Sequence, residues 1–447
     1  MKAQKEEIKK FGEDVRTAVI IVGAGVCGLM AARELSAAGK KVTILEARDR
    51  IGGRIYPLSE DEFGYPAQGG AEFVHGEAPI TKELIKEAGL RYVPMPKDGG
   101  NWRSRNGILE KGGADVLQEP EFIDHMDKVK NALEELQEDV PIEQFLNTYF
   151  GSDKDAGFRE LVLLLVEKYE AGDPKRMSTF ALRDDWLGGG GEWLQGRIAE
   201  GYGALVEFLR TACEKNSVRI LLEHTVTEIK RDADGAHVSC SNGVSFDAEK
   251  VIVTVPIPIL SHIRFDPPVP LAETASEKFG FGQAVKLLIR FGDCWWHAAT
   301  KEDVQKMVFL LTPEDVSGWW TQYPLQVPVL TGWVVGRAAE TFGSMSDEEI
   351  AEAALASLAQ VFNVDVQFVR DRVTALKVIN WPADPLALGA YSYSVVGSEE
   401  ARKELAEPVE NTIYFAGEAI GSGDNSSTVE GALQSGKGVA GSILEDR

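Results

Sequence analysis

Apolar residues recur along this chain in two rhythms. Short uninterrupted runs, AVIIV at 18–22, KVTILE at 41–46, VIVTVPIPIL at 251–260 and IYFAG at 413–417, have the pattern of strands buried on both faces of a parallel sheet. Proline stops the third of them. Strands are also predicted at RILLEHTVTEIKRD (219–232) and AHVSCS (236–241), and helices after Gly25 and Gly201. From Thr81 to about Glu170 a helical period dominates, punctuated at Pro94, Gly99, Gly112, Pro141 and Gly151. Further on, strict alternation in AVKLLIRF (284–291) places Ala284, Lys286, Leu288 and Arg290 on one face of a strand. The order predicts an α/β protein whose first unit is left and rejoined twice. That unit takes 14–78, 198–285 and 396–447, and a second unit of helices and a mixed sheet takes 79–197 and 286–395.

The turn after AVIIV adds chemistry to this pattern. Gly23, Gly25 and Gly28 form G-x-G-x-x-G between strand and helix. The first allows the tight turn, the second lets the backbone approach a pyrophosphate, and the third brings helix close to strand, while the helix N-terminus offers amides and positive dipole to phosphates. Gly39 ends the helix. Glu46 comes eighteen residues after Gly28, where a carboxylate accepts from adenosine ribose hydroxyls and repels a 2′-phosphate. The pattern is that of a Rossmann-type site for FAD or NAD rather than NADP.

The residues after Glu46 favour FAD. The segment Glu46-Ala-Arg48-Asp-Arg50-Ile-Gly52-Gly53-Arg54 resembles the extended FAD signature of the flavin amine oxidases, the family of monoamine oxidases, polyamine oxidases and lysine-specific histone demethylases. The resemblance implies that Gly53, Arg48 and Arg54 hold the pyrophosphate, a task suited to a guanidinium fork. By matched position Gly70 and Ala71 of GGAEFVHG also line the cofactor, and Val226 packs near its adenine. At the C-terminus, NTIYFAGEAIGSGDNSSTVEGALQSGKGVAGSILEDR resembles the family's closing motif. It implies Gly417 and Glu418 beside the ribityl and pyrophosphate, and a helix N-terminus at Thr428 and Val429 aimed at the flavin N1–C2=O edge.

The same resemblance supplies the reaction. Lys286 matches the lysine that reaches flavin N5 through one water; its other reading is a solvent-facing residue like Arg290 on the same face. In NWPADPLALGAYSYS, Tyr391 matches the aromatic in front of the flavin and Trp381 a neighbouring aromatic, whereas Tyr393 reads as core. Ala390 stands where animal monoamine oxidases carry the cysteine that attaches FAD, so non-covalent FAD is implied. Thr428 replaces the second cage tyrosine of monoamine oxidases, and His75 matches a histidine near the amine in many polyamine oxidases. Glu72 offers an anionic anchor. Together these imply oxidation of a polyamine or another primary or secondary amine: hydride passes from the α-carbon to N5, the imine hydrolyses to an aldehyde or ketone, and O2 is reduced to hydrogen peroxide. Two alternatives stay open, a desaturase or protoporphyrinogen-oxidase-like enzyme and a protein whose structural FAD supports a partner-binding surface.

Composition narrows the partners. A formal charge of −23 over 447 residues argues against nucleic acid and anionic membrane surfaces and mildly attracts cations. The four cysteines (Cys27, Cys213, Cys240, Cys294) and six histidines fit no metal spacing, so no metal is expected. No stretch reaches the length of a membrane span, and MKAQKEEIKKFGEDVR reads as a charged helix without the apolar core of a leader. A cytoplasmic protein, possible as a homodimer, is expected. Gly188–Gly191 is the one low-complexity stretch, and some of Trp186, Trp193, Trp295, Trp296, Trp319, Trp320 and Trp333 are expected to line an apolar pocket while most serve as core.

Overall fold

In the computed structural model, AVIIV becomes the strand Thr17–Val22, flanked in parallel by Val42–Leu45 on one side and Ser245–Val253 on the other. Arg219–Leu221 and Ile413–Phe415 extend this parallel sheet, and Gly235–Cys240 and Val226–Asp232 continue it as an antiparallel hairpin. The structure describes residues 17–96, 99–105, 107–111, 120–187, 195–421 and 426–446. The readings of 1–16, Gly112, Gly188–Gly191 and Trp193 lie outside them. Both faces of the sheet are covered, which is why its strands carry apolar residues at consecutive positions. One face buries Ile21 and Ile44 against the helices Val26–Ala37, Gly201–Lys215 and Val429–Glu445, and the other buries Ile20, Val22 and Val251.

Glycine lets these helices come close. A Cβ on Gly28 would lie 2.1 Å from the carbonyl oxygen of Gly23, and one on Gly436 would lie 2.3 Å from that of Cys27. The Val429–Glu445 helix is tied down at its first turn by Glu430, a buried carboxylate that accepts from the Ile80 amide (2.9 Å), the Thr81 amide (2.8 Å) and the Thr81 hydroxyl (2.7 Å). Those three bonds also hold the start of the Pro79–Glu87 helix. Glu430→Ala strands the three donors and will destabilise the protein by roughly 1–3 kcal/mol, measured as a lower unfolding midpoint in denaturant.

A second sheet runs in the order 373–380, 284–291, 329–335, 318–320, 307–311, 100–105, 108–111 and is antiparallel except where Met307–Leu311 meets Gly100–Arg105. It corrects the helical expectation for 81–170. Helices occupy Pro79–Glu87, Pro120–Glu135, Ile142–Tyr149 and Ala156–Glu170, but Tyr92–Pro94, Gly100–Arg105 and Ile108–Lys111 are strands. Tyr92–Pro94 pairs with Gln195–Ile198, about a hundred residues later, and Gly100–Arg105 pairs with a strand about two hundred residues later. Distant pairing overrides the helical surroundings. Among the described residues no helix is long and apolar enough to cross a membrane.

Candidate active site

A single cavity of about 940 Å³ runs from the glycine turn to the second sheet. Every site residue expected from sequence lines it except Gly28, which supports the turn from behind. The lining includes Gly23, Gly25, Glu46, Arg48, Gly53, Arg54 and Val226, and also Gly70, Ala71, Glu72, His75, Lys286, Trp381, Tyr391, Gly417, Glu418, Thr428 and Val429.

The nucleotide end is an uncapped helix N-terminus. Gly25 is the N-cap of Val26–Ala37, no side chain caps it, and nothing lies within 4 Å of where its Cβ would be. The first-turn amides therefore face open space suited to a pyrophosphate. Glu46 is buried beside this turn and is fixed by the Ala24 amide (2.7 Å) and the Arg48 amide (2.9 Å). Arg48 pairs with Asp384 at 2.9 Å, and Arg54 donates to Glu418 (2.8 Å) and to the Ala390 carbonyl (2.9 Å). Glu418 also accepts from the Ser392 hydroxyl at 2.6 Å. A second helix N-terminus lines the cavity, with Thr428 as its N-cap accepting from the Gly431 amide at 3.0 Å. Two helix dipoles, an acid beside the first, and an apolar patch with Val226, Ile259 and Ile263 fit the phosphates, ribose and base of FAD.

Lys286 settles into a place that alternation alone left open. Its strand is covered on both sides, and the side chain is only 2 % exposed. Nζ donates to Glu72 Oε2 (2.8 Å) and to the Gly70 carbonyl (3.1 Å), and it lies 5.3 Å from the centre of the Trp320 ring. Arg290, four residues along, reaches the carbonyls of Asp61 and Glu62 instead. Gly70 can approach only because it lacks a side chain, since its Cβ would fall 1.7 Å from the Arg54 carbonyl oxygen.

Glu72 differs from its expected role as an anionic anchor for substrate, because its oxygens are already engaged. Besides Lys286, Arg197 Nε (3.1 Å), Trp320 Nε1 (3.1 Å) and Gln322 Nε2 (3.0 Å) donate to it. Burial raises its carboxyl pKa, but Lys286 and Arg197 outweigh burial and bring it to about 2. Burial pushes Lys286 down, with Arg197 acting the same way and Glu72 opposing both. His75 is open to the cavity yet ringed by protein, and this desolvation lowers its pKa below 6.5.

Aromatic side chains form the rest of the wall. Phe73, Phe309, Trp319, Trp320, Trp333 and Trp381 line the cavity, with Trp333 directly across the strand pair from Lys286. Trp295 and Trp296 are core, as is Tyr393. Cys27 lines the cavity at the helix start, but its thiol is buried, which pushes it up to about 12. Arg197 and Gln322 were missed from sequence, and Trp320 stood only among the tryptophans expected to divide between pocket and core. The only signal near them is the short alternating QGRI strand and the Trp-Trp pair.

A parallel sheet whose first crossover leads into a two-ended cavity, closed by an aromatic wall and a buried lysine, defines a Rossmann-type dinucleotide flavoprotein. The chain belongs to the family of flavin containing amine oxidoreductases, whose sequence profile matches residues 26–444. It is thus a flavin-dependent amine oxidoreductase with FAD as its cofactor. The chain is 29% identical over 446 residues to a probable polyamine oxidase 4 of Arabidopsis thaliana, covering 93% of this chain and 84% of that one. It is 28% identical to the lysine-specific histone demethylase 2 of Homo sapiens, covering 95% of this chain and 53% of the other. In fold it resembles a putrescine oxidase bound to putrescine (TM-score 0.79, 21% identity, 96% and 99% of the chains). It is equally similar to a cyclohexylamine oxidase from Brevibacterium oxydans (TM-score 0.79, 22% identity, 97% and 99%).

Proposed function

We propose that this chain oxidises a primary or secondary amine, polyamines being the leading class, with oxygen as electron acceptor. The observation that carries the reading is that Lys286, Tyr391, Trp381 and the Thr428 helix N-terminus all line one cavity with the glycine turn. Bound non-covalently, with Ala390 offering no nucleophile, FAD would supply the hydride acceptor for the amine α-carbon, and its reoxidation would reduce O2 to hydrogen peroxide. Tyr391 and Trp381 exclude water, guide the neutral amine and stabilise an arriving ammonium by cation–π contact. Lys286 would hold a cation and a water beside the reacting atoms, and that water would also serve hydrolysis of the imine to an aldehyde or ketone. Thr428 and Val429 present amides where negative charge develops on reduction. Arg48, Arg54, Gly53, Gly417 and Glu418 hold the phosphates and ribityl chain, and Glu46 the ribose.

Support for a polyamine comes from His75 on the cavity wall, whose pKa desolvation lowers, and from Glu77 and Asp184, exposed carboxylates on the same wall that suit further ammonium groups. The deciding experiment is anaerobic bleaching of flavin absorbance at about 450 nm by spermidine, putrescine, aromatic monoamines and L-amino acids. Bleaching by one class, with peroxide formed on admitting air, supports the reading and selects the substrate. A fully loaded protein that no amine reduces overturns it. Alkyl amines titrate near pH ~10, so kcat/KM will rise about tenfold per pH unit from about pH 6 to about pH 9. A pH–rate series at unchanged FAD content checks this, and a flat profile contradicts binding of the neutral amine.

A further inference from the structure

The proposed chemistry uses Lys286 but assigns nothing to the carboxylate that grips it. Glu72 is a buried acid that accepts from four different side chains, two of them cationic. We propose that Glu72 is a positioning residue that fixes Lys286 as an ammonium at the wall of the flavin cavity, and that Arg197 sets how strongly it does so.

Three observations support this. Nζ has two acceptors, one a carboxylate, and an aromatic face nearby, which is the environment of an ammonium. Two of its N–H groups are consumed by Gly70 and Glu72, and among the described residues the third has no protein acceptor. The fixed pair sits on the cavity wall, which Lys286 lines. Arg197 shares the same carboxylate at 3.1 Å and is itself fixed by the Thr321 carbonyl at 3.1 Å and by the face of Phe73. Its charge competes with Lys286 for Glu72. Tyr65, the other titratable group facing Glu72, is driven well above its usual range by burial and stays neutral. Trp320 and Gln322 are neutral donors that occupy the remaining lone pairs.

An ammonium near the flavin favours its reduced, more negative form, so loss of that proton lowers the reduction potential. Removing Glu72 removes an anion that holds the proton, whereas removing Arg197 removes a cation that repels it. The inference rests on the role given to Lys286 under Proposed function, but its test needs no amine. The midpoint potential of the FAD-loaded protein is followed against pH by dithionite titration for wild type, Glu72→Gln, Arg197→Gln, Lys286→Met and the double variant Glu72→Gln/Lys286→Met. The inflection caused by Lys286 will move down by about one pH unit in Glu72→Gln, a tenfold change in proton affinity, or come into range there if it lies above the range in wild type. In Arg197→Gln it will move up. In Lys286→Met it will be absent, and adding Glu72→Gln to that variant will not restore it.

An inflection that stays fixed in Glu72→Gln, moves the same way in both single variants, or persists without Lys286 overturns the proposal. If Glu72→Gln fails to load FAD, the upward shift in Arg197→Gln decides the matter. A wild-type protein that no amine bleaches, but whose inflection moves as stated, retains the pair and discards the amine reading.

Discussion

Lys286→Met lowers turnover by about 10²-fold or more, the usual cost of losing a group that handles protons or charge in the transition state. The substitution is close in volume and leaves a mainly apolar strand intact, since Val285, Leu287 and Ile289 on the opposite face keep their core. Glu72 is not orphaned, because Arg197, Trp320 and Gln322 still donate to it. The loss should therefore fall on the chemical steps. Stopped-flow measurement of anaerobic flavin reduction and of reoxidation by oxygen locates it in one of the two half-reactions. Rates unchanged in both would return Lys286 to a structural part in an ion pair.

The second large effect belongs to the glycine turn. Gly28→Ala places a methyl 2.1 Å from the Gly23 carbonyl oxygen, a backbone atom at the C-terminal end of a central strand, and also crowds Ile21 and Thr254. Helix and strand must separate, at a cost of roughly 1–3 kcal/mol or more. The displaced element is the helix whose first turn is proposed to receive the pyrophosphate, so FAD retention is expected to suffer along with stability. The variant will purify largely colourless, with FAD content below about a tenth of wild type, equivalent to ~1.4 kcal/mol or more in cofactor affinity at subsaturating FAD. The ratio of flavin to protein absorbance checks it. A yellow protein of wild-type FAD content would show that the helix shifts without disturbing the phosphate site.

The nucleotide half was legible because its signals are local. Strand, glycine turn, helix, Gly39 and Glu46 lie in one stretch of 29 residues from Ala18 to Glu46, where each is dictated by its neighbours. The motifs carrying Lys286 and Tyr391 were legible by resemblance, and the structure brings both to the same cavity. The features beyond reach are long-range. Arg197 reaches Glu72 because Gln195–Ile198 pairs antiparallel with Phe73–His75, a register that no periodicity within either three- or four-residue strand encodes. Without that pairing Glu72 reads as a free acid. The strands at 92–111 escaped for the same reason: their partners are far away, and the helices around them dominate any local window.

The ties across the cavity bear on how substrate comes and goes. Lys286, on the second sheet, holds Glu72 and Gly70 of the flavin-side segment; Arg48 holds Asp384; Arg54 holds the Ala390 carbonyl. Prising the two sheets apart would uncouple all three at once, and breaking a buried ion pair such as Lys286–Glu72 alone costs several kcal/mol. The seam that carries Lys286 is therefore also a latch. Exchange of a bound molecule is therefore expected without separation of the two sheets, since separation would break all three ties.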